Sequence, residues 1–184
     1  MRALVPALPA IVASLALGLA PAKAAAQEAF AGLFAHDVNI HVAAHPEEAG
    51  VDEELGVRSG PIVDAGRWGS LRLYALGSVN DSGGVNLAAA GAAIRWRLPH
   101  RFYVQVGLGA AVQSGDADPY QRRTGHLDLG SRFLFEPELM LGAPLGRRWA
   151  AEIGYVHVSN GGFSPQNPGM DDLGARLVWR WGAR

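Results

Sequence analysis

The run His157-Val158-Ser159-Asn160-Gly161-Gly162 brings together the residue types of a nucleophilic site, and an acid follows at Asp171. In an extended strand, residues two apart point to the same side. His157 and Ser159 therefore lie side by side, with the imidazole in reach of the hydroxyl as general base. If residues 160–170 form a loop that returns the chain, Asp171 comes alongside His157. A carboxylate there orients the ring and stabilises the imidazolium formed when the hydroxyl gives up its proton. Acyl transfer also needs donors where the tetrahedral oxyanion develops; the candidates are the Asn160 and Asn167 side chains and the backbone N–H groups of Gly161 and Gly162. The glycines also let the chain turn sharply and approach an ester closely. The chemistry predicted is attack by Ser159 on an ester carbonyl.

A serine two residues from a histidine is a common accident, and Gly-Gly alone marks a turn. The company the pair keeps argues for more. Asp171 is in phase with Leu173 and Leu177, on a side where an unpartnered charge is expensive, whereas Asp172 points the other way. His36, His41, His45, His100 and His126 are dispersed without metal-ligand spacing, so neither a metal nor a cofactor is expected. Asp52-Glu53-Glu54 reads as a solvated loop. Trp68, Trp96, Trp149, Trp179 and Trp181 read as anchors at a membrane interface.

Period-two segments must position these groups. From Trp149, one side carries Trp149, Ala151, Ile153, Tyr155, His157 and Ser159, the other Ala150, Glu152, Gly154, Val156 and Val158. Residues 172–181 repeat the split, with Arg176 and Arg180 opposite Leu173, Leu177 and Trp179. So do residues 102–113, and residues 126–136 with Leu127, Leu129, Phe133 and Phe135 opposite Asp128, Arg132 and Glu136. Val38, Ile40 and Val42 alternate with Asp37, Asn39 and His41; residues 71–74 and 86–98 alternate more weakly. Charge beside small residues on one side suits a narrow polar lumen. Leu, Val, Phe and Trp on the other suit lipid, where a charge at the midplane costs about 2–4 kcal/mol. Connections alternate between short (98–102, 144–148) and long (114–124, 160–169), as periplasmic turns and outer loops do. The expectation is an all-β fold, an eight-stranded antiparallel transmembrane barrel, with lumen arginines paired to Glu136, Glu152 and Asp128. The weak second strand falls within residues 55–64, where Pro61 counts against it.

Composition sets the outer limits. Arg2, an apolar run at 11–20 and small residues at 22–26 form a cleavable export signal, too short to span a bilayer. Residues 1–26 are thus expected as signal peptide and 27–184 as one barrel domain. No later run is apolar over the roughly 20 residues that a spanning helix needs. The absence of cysteine excludes a disulfide framework and thiol chemistry. After loss of Arg2 and Lys23, acids outnumber bases by 17 to 14, which speaks against nucleic acid as a partner.

The His157-x-Ser159-Asn160-Gly161-Gly162 run with its downstream acid resembles the PagL lipid A 3-O-deacylases, outer-membrane barrels with a His-x-Ser-Asn pair and an acid on the outer wall. The resemblance implies Ser159 as nucleophile, His157 as base, Asp171 as acid and Asn167 as an oxyanion donor. It also implies lipid A of lipopolysaccharide as substrate, attacked at its 3-position ester, and a Gram-negative outer membrane as location. The family pattern has Glu where this chain has Asp171, one methylene or about 1.5 Å shorter, so loop or strand pairing must close the gap. Outer-membrane lipid is the surrounding partner, and a homodimer is compatible with a lateral site. The rival readings are a phospholipid hydrolase or acyltransferase barrel, and a non-catalytic small barrel, for which Ser159→Ala changes nothing.

Overall fold

The computed structural model describes residues 26–38, 40, 48–118 and 127–181. The expected signal peptide, apart from Ala26, lies outside them, as do Asn39, His41, Val42, His45 and His126. Among the described residues nine strands follow one another: β1 (Ala26–Ala35), β2 (Val51–Ser59), the two-residue β3 (Val63–Asp64), β4 (Ser70–Asn80), β5 (Leu87–Arg97), β6 (Tyr103–Gln113), β7 (Phe133–Pro144), β8 (Trp149–Val158) and β9 (Met170–Arg180). The long strands pair antiparallel with their neighbours. β1 pairs with β9 and β2 with β4, so eight of them close a barrel, and β3 clips onto the start of β4. Closure satisfies the backbone groups that hydrocarbon cannot.

The side-chain alternation decides which way each strand faces. Leu33, Leu55, Leu108 and Ile153 stand outward and exposed on the wall, while Arg58, Gln105, Glu136, Glu152 and Arg176 are buried in the lumen. Such a wall is a liability in water and a favourable surface in lipid. The lumen is held by ion pairs. Arg58 forks onto Glu152 at 2.9 and 3.2 Å, and Tyr103 Oη donates to the same carboxylate at 2.6 Å. Arg176 grips Glu54 through two nitrogens at 2.5 and 2.8 Å and Glu138 at 2.7 Å. Trp149 and Trp179 face each other across β8 and β9 at the end away from the outer loops.

Four expectations need correction. The first strand among the described residues is Ala26–Ala35, ahead of the alternating segment 37–42, half of which lies outside them; its Phe30 and Phe34 point inward and pack under Arg58 and Arg176. The second strand runs Val51–Ser59 and ends before Pro61, so Asp52 and Glu54 line the lumen rather than a solvated loop. Leu127 and Leu129 are not on the wall; β7 starts at Phe133, and both leucines are buried in the preceding loop. Among the lumen arginines, Arg95 meets the expected Glu152 at 3.5 Å but pairs more closely with Glu28, and Arg176 pairs with Glu54 and Glu138. Glu136 instead accepts the Tyr74 hydroxyl, and Arg132 is exposed at the outer end.

Candidate active site

Strands β8 and β9 are joined by residues 159–169, and their register sets His157 directly opposite Asp171 and Tyr155 opposite Leu173. Directly opposed residues have Cβ atoms about 4.5–5.5 Å apart, a gap that the short Asp side chain spans. His157 Nδ1 lies 2.7 Å from Asp171 Oδ1. Tyr155, one step down the same face, donates its hydroxyl to the same oxygen at 2.5 Å. Asp171 is fully buried although it belongs to the outward set, with the partly exposed His157 and Tyr155 side chains bonded to it. With Nδ1 turned to the acid, Nε2 is the nitrogen left to face a substrate or a hydroxyl.

Ser159 follows on the same side, at the point where the strand becomes loop. It exchanges both backbone hydrogen bonds with Phe135 of β7, at 2.8 and 3.1 Å. Among the described residues no hydrogen bond joins its hydroxyl to the imidazole; such contacts commonly tighten only when substrate is bound. Continuing the β7–β8 register places Pro137 across from His157. Proline has no N–H to give to the His157 carbonyl, so the ladder is interrupted beneath the site.

The loop distributes the four oxyanion candidates unequally. The Asn160 side chain is buried and committed: Nδ2 donates to the carbonyls of Leu129 and Gln166 at 2.8 and 2.5 Å, and Oδ1 accepts the Gly162 N–H at 2.9 Å. Asn167 Oδ1 accepts the Asn160 N–H at 3.0 Å. The Gly161 N–H and Asn167 Nδ2 are thus the donors of the set with no partner among the described residues. Gly161 and Gly162 both have positive φ, 66° and 80°, a conformation natural only to glycine in such a run.

Two contributors were not singled out from the sequence. Tyr155 shares the face of His157, and the i, i+2 rule that paired His157 with Ser159 also reaches it. Gly169, marked by the Pro-Gly turn signal, has φ 72°, and a Cβ there would sit 2.9 Å from His157 Cε1. A groove of about 720 Å³ flanks the site, lined by Ala110, Phe133, Phe135 and Phe163 with Arg132 at its edge.

At the outer mouth of the lumen His36, Asp52 and Asp172 offer ligand atoms within 4.8 Å of one another. The ring, however, is engaged through both nitrogens, with Asp52 at 2.8 Å and Glu48 at 3.2 Å. Burial disfavours its charge, but these two acceptors outweigh burial and push its pKa up to about 10. A doubly donating imidazolium closes an ion-pair clamp and is not a metal ligand.

A closed barrel that is apolar outside and ionic inside, with a histidine–acid pair in its outward wall, defines a small transmembrane β-barrel bearing a lateral polar site. The chain belongs to the lipid A 3-O-deacylase (PagL) family, whose model matches residues 57–180. It is 34% identical over 115 residues to the lipid A deacylase PagL of Bordetella bronchiseptica, a match covering 58% of this chain and 61% of that protein. In fold it resembles a crystal structure of the outer membrane enzyme PagL, at a TM-score of 0.62 and 18% identity over 83% of this chain and 98% of the other. A de novo designed transmembrane β-barrel follows at a TM-score of 0.52 and 10% identity, covering 84% and 95%. Fold and family place the chain in the outer membrane of a Gram-negative cell.

Proposed function

We propose that this chain hydrolyses an acyl ester of lipid A, at the 3-position that the family description names, with Ser159 as nucleophile, His157 as base and Asp171 as the acid that orients it. The observation carrying this reading is the 2.7 Å contact between His157 and a fully buried Asp171 on a wall that otherwise presents Leu173, Leu177 and Ile153. A carboxylate on such a wall has a cost unless it is used. Ser159 Oγ attacks the ester carbonyl and passes its proton to His157 Nε2, and Asp171 stabilises the resulting imidazolium. The Gly161 N–H and Asn167 Nδ2 bond the oxyanion. Collapse breaks the ester bond, and the sugar alkoxide takes the proton from His157. Water, deprotonated by the same nitrogen, then attacks the acyl carbonyl; the bond to Ser159 Oγ breaks, that oxygen takes the proton back from His157, and the fatty acid leaves.

The phenylalanine-lined groove supports a long acyl chain as the group bound beside Ser159, and Arg132 at its edge suits an anionic headgroup. Mass spectrometry of lipid A from cells expressing the chain tests the proposal, beside Ser159→Ala and His157→Ala cells with equal membrane incorporation. Loss of one hydroxyacyl chain with the unmutated protein alone is the expected result. Unchanged lipid A with a folded, inserted barrel would reject the substrate, and released phospholipid acyl chains would replace it.

A further inference from the structure

The far end of the lumen carries an imbalance of charge that catalysis at the outer end does not use. A cavity of about 430 Å³ opens there, between the starts of β1 and β6 and the end of β9. Arg72, Arg95, Arg97, Arg101 and Arg180 line it, with Glu28 as the acid. Glu28 is buried and already accepts Arg58 at 2.9 Å, Arg95 at 2.8 and 2.9 Å and Arg180 at 3.1 Å, with Arg72 at 3.7 Å. Glu152 is taken by Arg58 at 2.9 Å, with Arg95 at 3.5 Å. Four guanidinium groups, those of Arg58, Arg72, Arg95 and Arg180, thus share two carboxylates, and Arg97 is paired with Asp64 at 3.1 Å. Of these four, Arg72 is the least well paired with a carboxylate. Its side chain is 11% exposed, NH1 donates to the Ser59 carbonyl at 3.0 Å, and Nε is buried with no partner among the described residues. Surplus charge in a low-dielectric lumen is destabilising unless an anion joins it.

A second observation concerns the turn at the rim. His100 and Arg101 have φ of 57° and 68°, consecutive left-handed residues at positions where Asn-Gly is the natural choice. An unfavourable backbone is thus kept at the turn that sets Arg101 on the cavity wall, and retained strain of this kind marks functional positions. Planar guanidinium forks match tetrahedral and planar oxyanions through paired N–H bonds.

We propose that this cavity binds a phosphate-class oxyanion, supplied as free phosphate or as the phosphate of an inner-leaflet lipid headgroup, with Arg72 and Arg101 as its ligands. The site is at the opposite end of the barrel from His157 and independent of the proposed reaction.

Thermal unfolding of the whole barrel in maltoside micelles tests it, with titrations of inorganic phosphate and of dihexanoyl phosphatidylglycerol against sodium chloride of equal ionic strength. A saturable rise in Tm with phosphate is expected, and a response to the lipid alone would assign the headgroup as the source. Arg72→Gln should unfold no earlier than the parent when no oxyanion is added and should bind about tenfold more weakly or worse. If that variant does not fold, Arg101→Gln, altered on an exposed turn, gives the same reading. Responses to phosphate and lipid that equal that to chloride would overturn the proposal, as would a variant that responds like the parent.

Discussion

Replacing Asp171 by Asn keeps the shape of the side chain and removes its charge. The carboxylate accepts from His157 Nδ1 at 2.7 Å and from the Tyr155 hydroxyl at 2.5 Å, and it is shielded from solvent. With charge centres about 4 Å apart and an effective dielectric near 20, the attraction between carboxylate and imidazolium is worth about 4 kcal/mol. That attraction acts in full only once the ring has taken the serine proton, so most of the loss falls on the transition state. At 1.36 kcal/mol per decade the rate falls about a thousandfold. Because Asp171 is fully buried, the loss should appear in kcat with KM nearly constant. The assay is release of hydroxyacyl chains from purified lipid A in mixed micelles, followed by mass spectrometry over a range of lipid A mole fractions. A variant within threefold of the parent, or one whose loss lies in KM, would refute the assignment of Asp171 as the acid that stabilises the imidazolium.

Tyr155→Phe removes the hydroxyl that donates to Asp171, a change of about 1–2 kcal/mol; kcat should fall roughly tenfold in the same assay with the barrel's Tm little altered. Gly169→Ala sets a Cβ against the His157 ring at a backbone angle of 72°, and should cut activity while costing about 1 kcal/mol in urea unfolding. Glu152→Gln strips the buried partner of Arg58 and Tyr103 and should cost about 3–5 kcal/mol, seen as a lower urea midpoint. His36 has its pKa raised by Asp52 and Glu48, with Asp172 also facing it at 3.8 Å. Its contribution to stability is therefore complete below about pH 6.5 and lost as pH climbs toward 10. The parent's Tm should fall across that window, and His36→Gln should flatten the slope.

The barrel and the β8–β9 part of the candidate site were legible because a period of two survives in any half-buried strand, and charge marks its inner side. Tyr155, His157 and Ser159 share a face by counting alone. The pairing of His157 with Asp171 was legible only as a condition on the loop, since the exact register depends on how residues 159–169 turn, and that turn involves the hydrogen bonds of the Asn160 side chain. The first strand escaped notice because Phe30 and Phe34 face inward, inverting the rule that large apolar groups face lipid. Asp52 and Glu54 resemble loop acids until Arg176 and His36, both distant in sequence, come round to meet them. Leu127 and Leu129 alternate as a strand would, yet their backbone bonds to side chains instead, the Leu127 N–H to Glu48 and the Leu129 carbonyl to Asn160.

The lateral position of Ser159 also decides which reactant is scarce. An acyl ester already dissolved in the leaflet meets the wall by diffusion in two dimensions, so its effective concentration is a mole fraction of lipid rather than a molarity. In the proposed reaction water is the reactant that must come from outside the leaflet, and the loop that follows Ser159, turning at Gly161 and Gly162, is the part of the site that leaves the wall. Access of water at that loop would then govern the release of the acyl group in the proposed second half of turnover. Solutes that lower water activity, or small alcohols that compete for the acyl-enzyme, should slow or divert this second half of turnover while leaving the first half untouched.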